Sequence, residues 1–261
     1  MRLIQLATIL VIAALGAPGG ALAQGGAPDP RLVEDLVAAN RILYDQGVVD
    51  GFGHVSVRHD RDPGRFLLSR SMAPALVKGD DILEFDLDNV AVDAKGQAVF
   101  LERFIHGEIY KARPDVKAVV HSHSPSVIPF GVSKTRLKPI YHMSSFMGVD
   151  VPVFEIRDVA GPASDLLVRN ASLGADLAKV LSDKTVVLMR GHGSVTVGIS
   201  LPQVVFRAYY AEMNARLQSE AMRLGEVTYL TAEEAAAAAK TNDGQVMRPW
   251  ELWKRKAMKP E

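Results

Sequence analysis

The sequence predicts an α/β domain, and three observations carry that prediction. Stretches with apolar residues at helical spacing, such as Leu32, Val33, Leu36 and Val37, alternate with short apolar runs bounded by turn residues. A turn-punctuated segment between residues 54 and 86 reads as a meander of strands. A short buried strand over Val116–Val120 follows a helix and a Pro-marked turn, and it delivers His121 and His123 at its end.

Met1–Ala23 comes first, with a basic start at Arg2, an apolar run from Leu3 to Leu15 and a small-residue ending at Ala21-Leu22-Ala23. That pattern predicts a secretory signal cleaved before Gln24, and hence a periplasmic or secreted protein with no membrane attachment after cleavage. An uncleaved anchor is disfavoured because the run is short and is followed by Gly16, Pro18, Gly19 and Gly20. Residues 24–30 read as a flexible start, in which Asp29 as N-cap and Pro30 in the first turn open a helix that Gly47 stops near Gln46. Strands are expected over Val55–Arg58, Phe66–Ser69 and Ile82–Asp86, with Asp88-Asn89 and Lys95-Gly96 as turns. Past the central helix and strand, Ser122–Leu137 reads as a loop, Val151–Phe154 as a strand and Ser164–Leu181 as mostly helix. Thr185–Met189 is a buried strand from which Ser194–Gly198 returns antiparallel through Arg190–Gly193. Leu201–Leu224 is a long helix with Pro202 in its first turn, and Glu233–Lys240 is a short Ala-rich one. The tail through Trp250 and Trp253 is expected to dock on the body or on a neighbour.

Composition narrows the function classes. Thirty Lys and Arg balance thirty Asp and Glu, so no basic excess points to nucleic acid or an anionic membrane. The absence of Cys excludes disulfides, thiolate ligands and a Cys nucleophile, which leaves His and carboxylate to bind any metal. Two histidines spaced two apart point to the same side of an extended backbone, offering half of a first-row metal site. His192, in Arg190-Gly191-His192-Gly193, offers a third nitrogen where flanking glycines let the backbone crowd an ion. Glu102 precedes His121 by nineteen positions and is available as fourth ligand, as general base, or as each in turn. These residues point to a metal-dependent lyase.

From about Leu32 to Leu224, this pattern of a Glu, a His-x-His and a later His in a Gly-rich turn resembles the class II aldolase/adducin family. The resemblance implies a three-layer α/β/α sandwich with a largely antiparallel central sheet, a C4 homotetramer and sites between subunits. It places His121, His123 and His192 as the metal-binding imidazoles and Glu102 as the acid/base carboxylate. Such an ion grips neighbouring substrate oxygens and stabilises the enolate left when a carbon–carbon bond breaks. Zn2+ suits three imidazoles, and Mn2+, Fe2+ or Co2+ fit the same ligands. His142, nineteen positions after His123, falls where the aldolases carry a Tyr that donates a proton from a neighbouring subunit.

Two departures bear on substrate. The phosphate-binding aldolases carry Gly-Asn-x-Ser after the first helix, where this chain has Gly53-His54-Val55-Ser56. They also carry two serines before the catalytic Glu, where this chain has Phe100 and Leu101, which cannot donate to a phosphate dianion. His54, Ser56 and Ser71, with Arg70 nearby, are left to hold a carboxylate, and Phe52, Phe100, Phe104 and Phe146 are available to wall a flat substrate. The expected activity is decarboxylation of a non-phosphorylated aromatic, ring-cleavage or oxo acid. The alternatives are an aldolase for a small hydroxy-oxo acid and a non-catalytic adducin-like binding module. The expected organisation is a signal over residues 1–23, a family domain over 31–230 and a C-terminal helix and tail over 231–261.

Overall fold

Seven strands form the middle layer: β1 (His54–Arg58), β2 (Arg65–Ser69), β3 (Ile82–Asp86), β4 (Ala118–Ser122), β5 (Val153–Phe154), β6 (Val186–Met189) and β7 (Gly193–Gly198). Their order is β3-β2-β1-β4-β7-β6-β5, and every pairing is antiparallel except β5 with β6. The computed structural model describes residues 26–94 and 96–259, so the signal expected over residues 1–23 and Lys95 of the expected turn lie outside them.

Strand alternation sorts side chains to two faces. Val55, Val57, Leu67, Ala118 and Val120 pack against α1 (Pro30–Asp45) and α6 (Leu201–Leu224). Phe66, Leu68, Val119, Val195 and Val197 point the other way, under α2 (Phe104–Ala112) and α5 (Ala171–Leu181). The result is the α/β/α arrangement with a largely antiparallel sheet. Each fully buried Leu or Ile in these layers contributes roughly 1.5–3 kcal/mol. α1 begins as its sequence dictates, with the Asp29 carboxylate accepting the Arg31 N–H at 2.8 Å. The tail forms α7 (Ala232–Asp243) and α8 (Met247–Ala257), and α8 docks on the body. Trp250 and Trp253 are buried against α1 and α6, and Lys254 reaches Asp35 at 2.7 Å and Glu34 at 2.8 Å. No helix among the described residues is long and apolar enough to cross a membrane.

The structure departs from the sequence expectations at several places, and the expected strand Val151–Phe154 keeps only Val153–Phe154. β4 runs to Ser122 rather than ending at Val120, so His121 is held within the ladder. Glu102, expected from sequence at the start of the helix before β4, sits instead in a separate 3-10 turn, Leu101–Arg103, with non-helical φ −93 and ψ 19. Helix is limited to Ala171–Leu181, where Asn170 caps it by accepting the Leu173 N–H, while residues 161–170 run irregularly with Leu166 at φ +70. A short helix, α3 (Ile128–Val132), interrupts the expected loop Ser122–Leu137, and another, α4 (Arg157–Ala160), follows β5.

Candidate metal centre

β1, β4 and β7 lie side by side in the middle of the sheet and bring the candidate residues together. His54 pairs with His121 across β1 and β4, and Ser122 pairs with Ser194 across β4 and β7. The turn before β7 supplies His192, with Gly191 at φ +68, a left-handed conformation that favours glycine. Gly193 is required for a different reason. A Cβ there would lie 2.0 Å from the Ser122 carbonyl oxygen, so only glycine lets β7 approach β4 beside the site.

One potential ligand atom from each of Glu102, His121, His123 and His192 lies within 4.8 Å of the others. His123 Nε2 is 3.2 Å from His121 Nε2 and 2.9 Å from His192 Nε2. Glu102 Oε2 is 3.6 Å from His121 Nε2 and 3.4 Å from His192 Nε2. The outward nitrogens explain why these atoms converge. His121 Nδ1 faces the Ser194 carbonyl at 3.1 Å and His192 Nδ1 faces the Leu166 carbonyl at 2.8 Å. A carbonyl can only accept, so both rings carry a proton on Nδ1 and turn Nε2 inward, which is how a metal-binding imidazole is oriented.

Glu102 is held similarly. Its Oε1 accepts the Val168 N–H at 2.9 Å, which leaves Oε2 facing the histidines. Burial alone would raise this carboxyl, but the His192 hydrogen bond, the His121 and His192 rings and the Val168 N–H hold it at about 2. Glu102 is therefore ionised at neutral pH. Burial lowers His121 to about 3 and lowers His123, so both rings stay neutral and able to ligate. His192 is raised because its contact with Glu102 outweighs burial. The loop after His123 is anchored from α6, where Glu212 accepts from Ser124 Oγ and from the Ser126 N–H.

The centre opens on a cavity of ≈ 580 Å³, in the range of small-ligand sites, lined by Phe52, Phe100, Leu101 and Leu167 together with His54 and Ser71. Phe52 is 70% exposed, and Phe100 packs on His54 with ring centroids 4.5 Å apart. The other expected wall residues are elsewhere: Phe104 packs on the α2 side of the core and Phe146 is buried against α6. Ser56, expected to touch substrate, is fully buried below the cavity, bonded to His106 and Tyr110. Arg70 is engaged by Asp81 at 2.7 Å. His142 is exposed on a 3-10 turn, His142–Met147, and does not line this cavity. The backbone of residues 166 and 168 was missed from sequence, since carbonyl and amide groups carry no residue signature. His106 was also missed, although it lies one helical turn beyond Glu102.

The family profile described as "Class II Aldolase and Adducin N-terminal domain" matches residues 34–219. The chain is 36% identical over 246 residues to "Decarboxylase tropJ" of Talaromyces stipitatus, covering 85% of this chain and 92% of that protein. It is 31% identical over 207 residues to a "3,4-dihydroxyphthalate decarboxylase" of Arthrobacter keyseri, covering 74% and 79% respectively. An L-fuculose 1-phosphate aldolase from Glaciozyma antarctica PI12 superposes with a TM-score of 0.70 at 24% identity, covering 86% of this chain and 89% of that one, a likeness of fold. The chain belongs to the class II aldolase/adducin family. Its decarboxylase relatives place it on the lyase side of that family, with a His/Glu cluster able to hold a divalent ion.

Proposed function

We propose that the chain is a divalent-metal-dependent decarboxylase of a non-phosphorylated aromatic, ring-cleavage or oxo carboxylate. The observation that carries this reading is the convergence of three imidazoles and one ionised carboxylate on one another, beside a cavity whose described lining contains no Lys or Arg. His121, His123 and His192 would hold the ion, and three nitrogens without a thiolate suit Zn2+, with Mn2+, Fe2+ or Co2+ as other candidates. When bound, the ion supplies a Lewis acid for the electron density displaced as a carbon–carbon bond breaks.

The side chains account for the remaining chemistry. A carbon that loses CO2 must gain a proton. Glu102 Oε2 is ionised and faces the same space, so it takes a proton from a substrate hydroxyl or from water and returns it to that carbon. Phe52 and Phe100 flank a flat substrate, and Leu101 and Leu167 limit water. A phosphate dianion would meet Phe100 and Leu101 where it needs charge-assisted donors, each worth roughly 1.5–3 kcal/mol. A carboxylate asks for fewer, and His54 and Ser71 line the cavity. The names of the two decarboxylase relatives support the reaction, and the second supports an aromatic acid.

The test is CO2 release by metal-reconstituted protein from a panel of dihydroxybenzoates, dihydroxyphthalates and oxo acids, alongside sugar phosphates as competitors. Turnover of a carboxylate with little of any phosphate is expected. A higher kcat/KM for a phosphate, or cleavage without CO2, would overturn the reading. Purified protein without stoichiometric metal would point instead to an adducin-like binding role. As part of the same proposal, the mature chain begins at Gln24 outside the cytoplasm and assembles as a homotetramer in which His142 approaches a neighbouring site. Light scattering gives the mass of that assembly.

A further inference from the structure

Below the cavity runs a row of buried polar groups that the chemistry described so far does not use. His54 Nδ1 is 2.6 Å from His106 Nε2, His106 Nδ1 is 2.6 Å from Ser56 Oγ, and Ser56 Oγ is 2.8 Å from Tyr110 Oη. All four residues are at most 4% exposed. His54 Nε2 has no partner among the described residues, and His54 lines the cavity.

Counting protons decides how this row is wired. The two facing ring nitrogens 2.6 Å apart share a single proton, and burial favours the uncharged form of every member, so each ring carries one proton and the phenol keeps its own. Suppose His54 carries its proton on Nδ1 and donates to His106 Nε2. His106 must then donate from Nδ1 to Ser56. Ser56 either donates to Tyr110, leaving the phenol proton without an acceptor, or accepts from both neighbours, leaving its own proton without one. Either way a buried O–H is unpaired, at roughly 1–3 kcal/mol. In the opposite direction nothing is orphaned: Tyr110 donates to Ser56, Ser56 to His106 Nδ1, and His106 Nε2–H to His54 Nδ1. His54 is then left with its proton on Nε2, towards the cavity.

We propose that His106, Ser56 and Tyr110 are positioning residues that lock His54 as an Nε2–H donor for an anionic oxygen of the substrate. The assignment of that oxygen to a carboxylate rests on the function proposed above, whereas the wiring does not. Donation selects an acceptor, so the row makes His54 a specificity-determining contact for a substrate oxygen that accepts, strongest for the charged oxygen of a deprotonated acid. Arg58 closes the far end, its guanidinium 4.7 Å above the Tyr110 ring.

Two measurements test this. Long-range proton–nitrogen correlation spectra of isotope-labelled protein reconstituted with diamagnetic Zn2+ report the tautomer of each imidazole, with His54→Gln and His106→Gln spectra giving the assignments. Both rings should carry the proton on Nε2, and a proton on His54 Nδ1 would overturn the proposal whatever the substrate proves to be. In steady-state assays on the carboxylate that the CO2 screen identifies, Ser56→Ala should raise KM roughly 10-fold or more with little change in kcat. His54→Gln keeps a side-chain donor that needs no wiring, so adding Ser56→Ala to it should change KM no further. Equal effects of Ser56→Ala in both backgrounds would reduce Ser56 to a packing role and overturn the proposal. If no carboxylate is turned over, the proposed reaction fails while the spectra still decide the wiring.

Discussion

Replacing Glu102 with Gln separates two consequences of one carboxylate. The side chain is 10% exposed, its Oε1 accepts the Val168 N–H, and its Oε2 lies 3.4 Å from His192 Nε2. In metal-free protein the carboxyl is held at about 2 against an ordinary value of 4.5. At about 1.4 kcal/mol per pKa unit, that difference of roughly 2.5 units corresponds to at most about 3.5 kcal/mol of stability. The folded value lies below the unfolded one, so this stability is fully present above the unfolded pKa and is lost as pH falls towards about 2. Urea unfolding of metal-free wild type and Glu102→Gln should therefore show a gap at neutral pH that closes under acid conditions. In metal-loaded protein the same substitution leaves three imidazoles, so metal content should hold while kcat falls by roughly 10²-fold or more, because an amide cannot accept the proton. A gap independent of pH would refute the electrostatic account, and an unchanged kcat would refute the acid/base role.

Replacing His121, His123 or His192 singly with Ala should abolish stoichiometric metal and turnover together, as read by elemental analysis beside the CO2 assay; full occupancy in any one variant removes that residue from the site. Gly193→Ala places a Cβ 2.0 Å from the Ser122 carbonyl oxygen and 3.2 Å from the His123 Cα, so it should lower thermal stability and metal affinity; a melting temperature like wild type would show that β7 yields more easily than its register implies. Mass spectrometry of protein exported from its native host should give Gln24 as the first residue, and intact soluble protein retaining Met1 would defeat the export proposal.

Much of this architecture was legible because it rests on side-chain patterning. The alternation of Val55, Val57 and Leu67 against Phe66 and Leu68 follows from the pleat, and the Asp29-Pro30 start of α1 follows from capping chemistry. The convergence of Glu102 with the three histidines was likewise anticipated from spacing and resemblance. What escaped is what the backbone does. Residues 164–170 have adequate helical composition, yet the chain leaves them irregular, and from there the Leu166 carbonyl orients His192 and the Val168 N–H orients Glu102. The burial of Ser56 was hidden for another reason: its alternation placed it on the correct face of β1, but only the packing of α2 shows that His106 and Tyr110 cover it.

The irregular segment over residues 161–170 divides the centre into parts held by different means. His121 sits in a ladder bonded on both sides, so displacing it requires opening the middle of the sheet, an event as rare as global unfolding. Leu166 and Val168 belong to no ladder or helix, and their segment is held instead by the packing of Val168 and Leu166 on the core. An opening there would release the Nδ1 contact of His192 and the Oε1 contact of Glu102 together, while His121 keeps its place. The candidate centre thus has one half held by the sheet and one half held by irregular backbone.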